Sequence, residues 1–174
     1  GIFSPERAAY EYYTIVSTIQ PGTLVINEFM ASNNSIIADE NGDYDDWIEL
    51  YNNSAYDIST SGLFLSDKDS FLTQWPLPSF VIPAGGYLVL WADSDTLDGA
   101  LHTNFKLSSS GEKIILSYTD TTIIDSIHYS SQITNISMAR FPNGNGPFIF
   151  RYPTFNANND FTAIEQIAEV PEFI

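Results

Sequence analysis

A run of acidic side chains at residues 39–46 is the part of the sequence best suited to hold a metal ion. Five of these eight residues are carboxylates and one more is an asparagine. Calcium takes about six to eight oxygen ligands, and side chains at alternating positions of a turning loop can converge on one ion. The loop is not an EF-hand, because its glycine, Gly42, comes too early. The spacing predicts a calcium loop formed by Asp39, Asn41, Asp43 and Asp45.

A solvated turn is the alternative interpretation of this loop. Aspartate, asparagine and glycine favour turns whether or not an ion is present. A second acidic stretch at residues 93–99 has a similar composition and is a weaker candidate for the same chemistry. The sequence therefore indicates no required cofactor, with calcium as the single candidate.

Other residues with chemical potential lie inside predicted strands or lack a motif. Glu28 and Glu49 stand in apolar stretches, where two facing carboxylates could act as an acid/base pair or as structural hydrogen-bond partners. His102 and His128 have no H-E-x-x-H or G-x-S-x-G motif beside them. No nucleophile or zinc site is therefore indicated by spacing alone.

Aromatic residues offer a different kind of site. Most of them should be buried, since β-sandwiches pack aromatics at alternate strand positions. Trp75, which is followed by a proline and precedes another at Pro78, is the tryptophan that we expect in an exposed loop. It is the candidate ligand-binding residue for carbohydrate.

The composition limits the classes of partner. With 22 acidic and 6 basic residues the formal net charge is −16, so nucleic acid and anionic membranes are poor partners. No apolar run is long enough for membrane insertion. The absence of cysteine excludes disulfides and thiolate metal sites. The high negative charge favours a monomer.

These side chains must be positioned by short strands, because turn residues interrupt the apolar stretches throughout residues 23–155. Alternation of apolar and polar residues predicts nine strands and no sustained helix. They are residues 23–30, 46–52, 62–66, 80–82, 86–92, 113–118, 123–129, 137–141 and 148–152. The strand at 86–92 is apolar on both faces, and we expect it to be central in its sheet.

Seven segments, taken in order, resemble those of bacterial lamin-tail domains. They are residues 24–33, 45–52 (with Asp-Trp-Ile-Glu-Leu-Tyr-Asn at 46–52), 62–67, 82–92, 102–108 with 111–112, 137–144 and 152–158. Two departures occur: Ala139 replaces a glycine that usually precedes the late arginine, and Pro153-Thr154-Phe155 stands where the family has Thr-Pro-Gly.

The resemblance implies an all-β, immunoglobulin-like β-sandwich of two mainly antiparallel sheets, without a catalytic centre. It also implies that Glu28 and Glu49 are structural, so we do not expect an enzyme. The expected organisation is an N-terminal extension or the end of a preceding domain (1–22), the lamin-tail-like sandwich (23–160) and a C-terminal linker (161–174).

The expected role is a non-catalytic interaction or scaffolding module of a larger bacterial protein, extracellular or on the cell surface. Its partners would be other proteins or flanking domains of the same polypeptide. A carbohydrate-binding module, stabilised by calcium, is the alternative.

Overall fold

The strands follow from the short apolar stretches in the sequence. Within residues 19–160, the range that the computed structural model describes, the chain forms eleven strands and no helix. The strands are β1 (Leu24–Met30), β2 (Trp47–Asn52), β3 (Ile58–Ser59), β4 (Leu63–Ser66), β5 (Trp75–Pro76), β6 (Val81–Ile82), β7 (Tyr87–Trp91), β8 (Glu112–Tyr118), β9 (Ile123–Tyr129), β10 (Ser137–Arg140) and β11 (Phe148–Arg151). All nine predicted strands are confirmed, while the two-residue strands β3 and β5 were not predicted. Most of the predicted N-terminal extension and all of the predicted linker lie outside the described residues.

Two antiparallel sheets form the layers of the sandwich. One has five strands in the order β11-β10-β1-β2-β7, and the other has four in the order β5-β4-β8-β9. A short pair, β3 with β6, forms a separate two-stranded ladder, and Ile58 and Ile82 of this pair are buried in the same core. The all-β, immunoglobulin-like prediction is confirmed. In the described part of the chain there is no helix long and apolar enough to cross a membrane.

The core lies between the two sheets. Its largest members are fully buried aliphatic and aromatic side chains from both layers, among them Ile26, Phe29, Leu50, Leu65 and Leu116. On the other face of the five-stranded sheet, Trp47 and Trp91 pack with Phe155, which follows β11. Both faces of this sheet are therefore covered, one by the second sheet and the other by the end of the described chain.

An ion pair between a strand of each sheet binds the backbone at a bulge in β1. The pairing register between β1 and β2 shifts between Ile26 and Glu28, which frees backbone groups of Ile26. The carboxylate of Asp125 on β9 accepts a hydrogen bond from the backbone N–H of Ile26 at 2.8 Å. The guanidinium of Arg140 on β10 donates to the backbone carbonyl of Ile26 at 2.8 Å. Arg140 and Asp125 are paired at 2.9 Å. These two side chains thus tie the sheets together at the bulge.

Two expectations about positions are wrong. The strand predicted at 86–92 is β7, which is the end strand of its sheet rather than a central one. It is apolar on both faces because both faces are packed. Leu88 and Leu90 pack with the main core between the sheets. Val89 and Trp91, on the opposite face, belong to the cluster that includes Phe155.

Trp75 is not in an exposed loop. It forms β5, pairs with Leu65 and is buried in the core at 6% exposure. A short edge strand beside β4 places its indole between the sheets. This position leaves no free ring face for stacking on a sugar.

Candidate functional site

The first acidic loop is organised around Asp39. Oδ1 of Asp39 accepts the backbone N–H of Asn41 at 2.9 Å and that of Asp43 at 2.8 Å. The backbone N–H of Asp39 donates to the Asp43 carbonyl at 2.9 Å. The second carboxylate oxygen, Oδ2, is buried and has no hydrogen-bond partner among the residues that the structure describes. One oxygen of Asp39 therefore fixes the loop, and the other contributes no hydrogen bond to it.

The structure brings Asp39 together with residues outside its own loop. Across residues 19–160, two groups of side chains have potential metal-ligating atoms within 4.8 Å of one another. They are Asp39 with Glu40 and His102, and Asp93 with Asp98 and His102. Asp43 and Asp45 belong to neither group. The calcium site of Asp39, Asn41, Asp43 and Asp45 stays a prediction.

His102 lies between the two acidic loops, and each of its ring nitrogens contacts a carboxylate. Nδ1 is hydrogen-bonded to Oδ2 of Asp93, and Nε2 lies 3.2 Å from Oε1 of Glu40. Oδ1 of Asp93 also accepts the N–H of Asp95 at 3.0 Å, which fixes that carboxylate. Burial lowers the pKa of His102, but the hydrogen bonds to Asp93 and Glu40 outweigh it and raise the pKa above its usual value. The ring is held in one orientation, with Nε2 towards Glu40.

Sequence reasoning found both acidic loops but did not connect His102 to them. Glu40 is 62 residues from His102 in the chain, and no motif links the two. The available signal was local: His102 follows the second acidic stretch, 93–99, by three residues. The other histidine, His128, lies exposed on β9 and joins neither group.

Glu28 is buried on the outer face of the five-stranded sheet and holds the chain that follows β11. It accepts hydrogen bonds from the hydroxyl of Ser137 at 2.5 Å and from the backbone N–H groups of Thr154 at 3.0 Å and Phe155 at 3.2 Å. Burial raises the pKa of Glu28, against the opposing effect of these hydrogen bonds.

The hydroxyl of Thr154 joins Glu28 to Asn159. The hydroxyl oxygen of Thr154 lies 2.6 Å from Oε2 of Glu28 and 2.6 Å from Oδ1 of Asn159. The amide of Asn159 is oriented by its own donation to the carbonyls of Asn27 and Arg140. Thr154 is therefore bound both to the sheet, through Glu28, and to the chain that follows it, through Asn159.

Glu49, the cross-strand neighbour of Glu28, makes a second attachment. Its Oε1 accepts from the side-chain amide of Asn27 at 2.9 Å, and its Oε2 accepts the backbone N–H of Asn156 at 2.5 Å. Burial, and then the charge of Glu28, raise the pKa of Glu49 to about 8. Both glutamates have 0% exposure. The structural interpretation is confirmed, because each carboxyl group is occupied by the protein's own hydrogen bonds.

One edge strand, β11, has a neighbouring strand on one side only within the described residues. In the described part of the chain, β11 pairs with β10 alone, and it exposes Ile149 and Phe150 at 41% and 45%. The other edges are protected in ways that sheet proteins commonly use: β5 is two residues long and contains Pro76, and the register of β9 on β8 is shifted by an irregularity. The remaining edge strand, β7, is flanked at its end by a bridge from Trp91 to His102.

The comparisons with known proteins agree with this architecture. The model of the family described as Lamin Tail Domain matches residues 17–131, which include β1 to β9 and both acidic loops. No curated protein matches the chain. The family is immunoglobulin-like, as is the sandwich described above. Since the matched residues make up well over half of the 174, the chain belongs to the lamin tail domain family.

Proposed function

We propose that this domain is a non-catalytic interaction module that binds an extended protein segment along β11 and positions the larger polypeptide that carries it. That polypeptide would be a bacterial protein that is secreted or held at the cell surface. The observation that carries the proposal is the open edge of β11 with Ile149 and Phe150 exposed on it.

An edge strand offers a row of backbone N–H and C=O groups to a further strand. Added strands gain affinity from these main-chain hydrogen bonds and specificity from the side chains that flank them. Natural sheets normally block such edges with proline, lysine, bulges or very short strands. Strand β11, Phe-Ile-Phe-Arg, contains neither proline nor lysine. Its pairing with β10 has no bulge. The edge is therefore suited to strand addition.

The attachment of the chain beyond β11 supports the positioning role. Glu28 and Glu49 hold residues 154–156 against the sheet, so the direction of the chain there is fixed relative to the sandwich. The role needs no cofactor. The acidic surface of the module opposes binding to nucleic acid and to anionic lipid.

Site-specific crosslinking tests the proposal. A photoreactive phenylalanine analogue at Phe150 is expected to give one dominant protein adduct with cell-surface or secreted proteins, and the same analogue at exposed Tyr56 is expected to give none. Ile149→Lys should abolish the adduct, because a charged residue on the edge opposes strand pairing. Ile123→Lys, the same change on exposed β9, serves as the matched control and should leave it intact.

Two results would contradict the proposal. One is an adduct that persists in Ile149→Lys, and the other is the absence of any protein adduct from Phe150. Retention of the domain on insoluble polysaccharide, tested in parallel, would favour carbohydrate binding instead.

A further inference from the structure

We propose that Asp39, Glu40 and His102 form a binding site for one divalent transition-metal ion of the Zn²⁺ type. The site is independent of the β11 edge. Its ligands would be Oδ2 of Asp39, a carboxylate oxygen of Glu40 and Nε2 of His102, with water completing the coordination. It joins a loop before β2 to the segment that follows β7.

The spacing of the candidate ligands suits a small ion. Zinc bonds to histidine nitrogen and carboxylate oxygen are about 2.0–2.2 Å long, so two ligands of a tetrahedral ion lie about 3.3–3.5 Å apart. Nε2 of His102 and Oε1 of Glu40 are 3.2 Å apart. One carboxylate oxygen of Asp39 lies within 4.8 Å of a ring nitrogen of His102 and of a carboxylate oxygen of Glu40. Only small movements are needed to close the three around an ion.

The unsatisfied oxygen of Asp39 is the observation that points to a ligand. Asp39 has 9% exposure, and its Oδ2 is buried without a partner in the described part of the chain. A buried carboxylate oxygen without a donor has lost its hydrogen bonds to water and gained none in return, which destabilises the folded chain. Pairing of His102 with Glu40 accounts for the imidazole ring but leaves this oxygen unsatisfied, whereas a metal ion would satisfy all three groups.

Asp93 completes the arrangement from behind the ring. Metal-bound histidines almost always donate their other N–H to a carboxylate or carbonyl, which fixes the ring and raises its basicity. Asp93 makes this contact with Nδ1 of His102. Both of its oxygens are engaged, by His102 and by the N–H of Asp95. It is thus a positioning residue, and the ion belongs on the Nε2 side.

Gly99 keeps space open beside the site. A Cβ atom added there would lie 3.3 Å from Oε1 of Glu40 and 3.3 Å from a ring carbon of His102. The side chain of Glu40 is 57% exposed, so an ion can enter from solvent on that side. A mixture of imidazole and carboxylate ligands favours zinc-like ions over calcium, which takes oxygen alone.

Titration of the full chain with Zn²⁺, after treatment with chelator, tests the site. Calorimetry should show one Zn²⁺ per chain. The ¹⁵N resonance of Nε2 in His102 should shift on binding, while the resonances of His128 should not. Glu40→Gln should weaken binding at least about tenfold, and because this side chain is exposed the variant should fold normally. Asp93→Asn should weaken it about 10–100-fold, as is usual for a residue that orients a ligand.

Asp43→Asn is the matched control in the same loop. The Asp43 side chain belongs to neither group of candidate ligands. The affinity of the Asp43→Asn variant for Zn²⁺ should therefore stay within about twofold of that of the unchanged chain. The proposal is overturned if no Zn²⁺ binds at about millimolar concentration, or if Glu40→Gln and His102→Gln leave binding unchanged. It is also overturned if Ca²⁺ binds in preference and that binding requires Asp43.

Discussion

Removing the charge of Glu49 should change how the stability of this domain depends on pH. Glu49 is fully buried and its pKa is raised to about 8, against 4.5 for the free side chain. The stabilisation that comes from the raised pKa of Glu49 is fully present below the unfolded pKa of 4.5. It is lost as pH rises through the folded pKa of about 8. The free energy of unfolding should therefore fall by about 3 kcal/mol between about pH 5 and about pH 8 from this group alone.

Glu49→Gln removes that dependence and adds a constant cost. The amide nitrogen of glutamine would face a donor, either the Asn27 amide or the backbone N–H of Asn156, because both oxygens of Glu49 accept hydrogen bonds. This mismatch should destabilise the variant by about 1–3 kcal/mol at low pH. Since the unchanged protein loses stability as pH rises, the difference between the two should shrink by about 3 kcal/mol towards about pH 8.

Urea unfolding followed by tryptophan fluorescence measures this difference, because all three tryptophans are buried. Asp69→Asn provides the control: Asp69 is exposed and pairs with Lys113 at the surface, so its difference from the unchanged protein should vary little with pH. A difference for Glu49→Gln that is constant from about pH 5 to about pH 8 would refute the reasoning. Glu49 would then be ionised throughout, and its burial would be compensated by the hydrogen bonds alone.

Three further predictions concern what holds the sheets and the terminal segment together, each measured against the unchanged protein. Arg140→Met should destabilise the domain by about 2–4 kcal/mol in urea unfolding, because it leaves Asp125 without its cation and a backbone carbonyl without its donor; an effect below about 0.5 kcal/mol would contradict this. Thr154→Val should speed amide hydrogen exchange in residues 153–159 by about tenfold, since it removes a side-chain contact to Glu28; unchanged exchange would argue against that attachment. Phe29→Ala should cost about 3–5 kcal/mol through the cavity it leaves in the core, and a loss under about 1 kcal/mol would show that the site collapses.

The strands could be predicted from the sequence because their apolar residues alternate and turn residues separate them. The nine predicted strands agree with the structure to within one residue at each end. β3 and β5 were missed because two residues are too few to show a period, whereas the equally short β6 lies in an apolar stretch just before the turn at Pro83. The central position expected for β7 was wrong for a different reason: its second apolar face packs under Phe155, a contact that no local pattern reveals.

The candidate site was predictable only in part. Composition identified the two acidic loops, but alternation along one loop suggested ligands from residues 39–45 alone. In the structure Oδ1 of Asp39 accepts hydrogen bonds from its own loop, and Glu40 lies near His102. Such contacts depend on how two loops meet at one end of the sandwich. A single sequence contains the residue types but not their distances.

The buried polar network links the fold to the proposed role. An apolar outer face would cover the sheet at less desolvation cost, yet it would hold the following chain without a defined register. Here Glu28 and Glu49 accept the backbone N–H groups of three successive residues, 154–156. Backbone donors fix position and direction together, so the segment cannot slide by one residue without leaving a buried carboxyl group unsatisfied. If the module positions what it is attached to, this attachment should be more rigid than the surface loops. Hydrogen exchange slower in residues 154–156 than in the exposed residues 68–71 would support that, and equal exchange in both would argue against a positioning role.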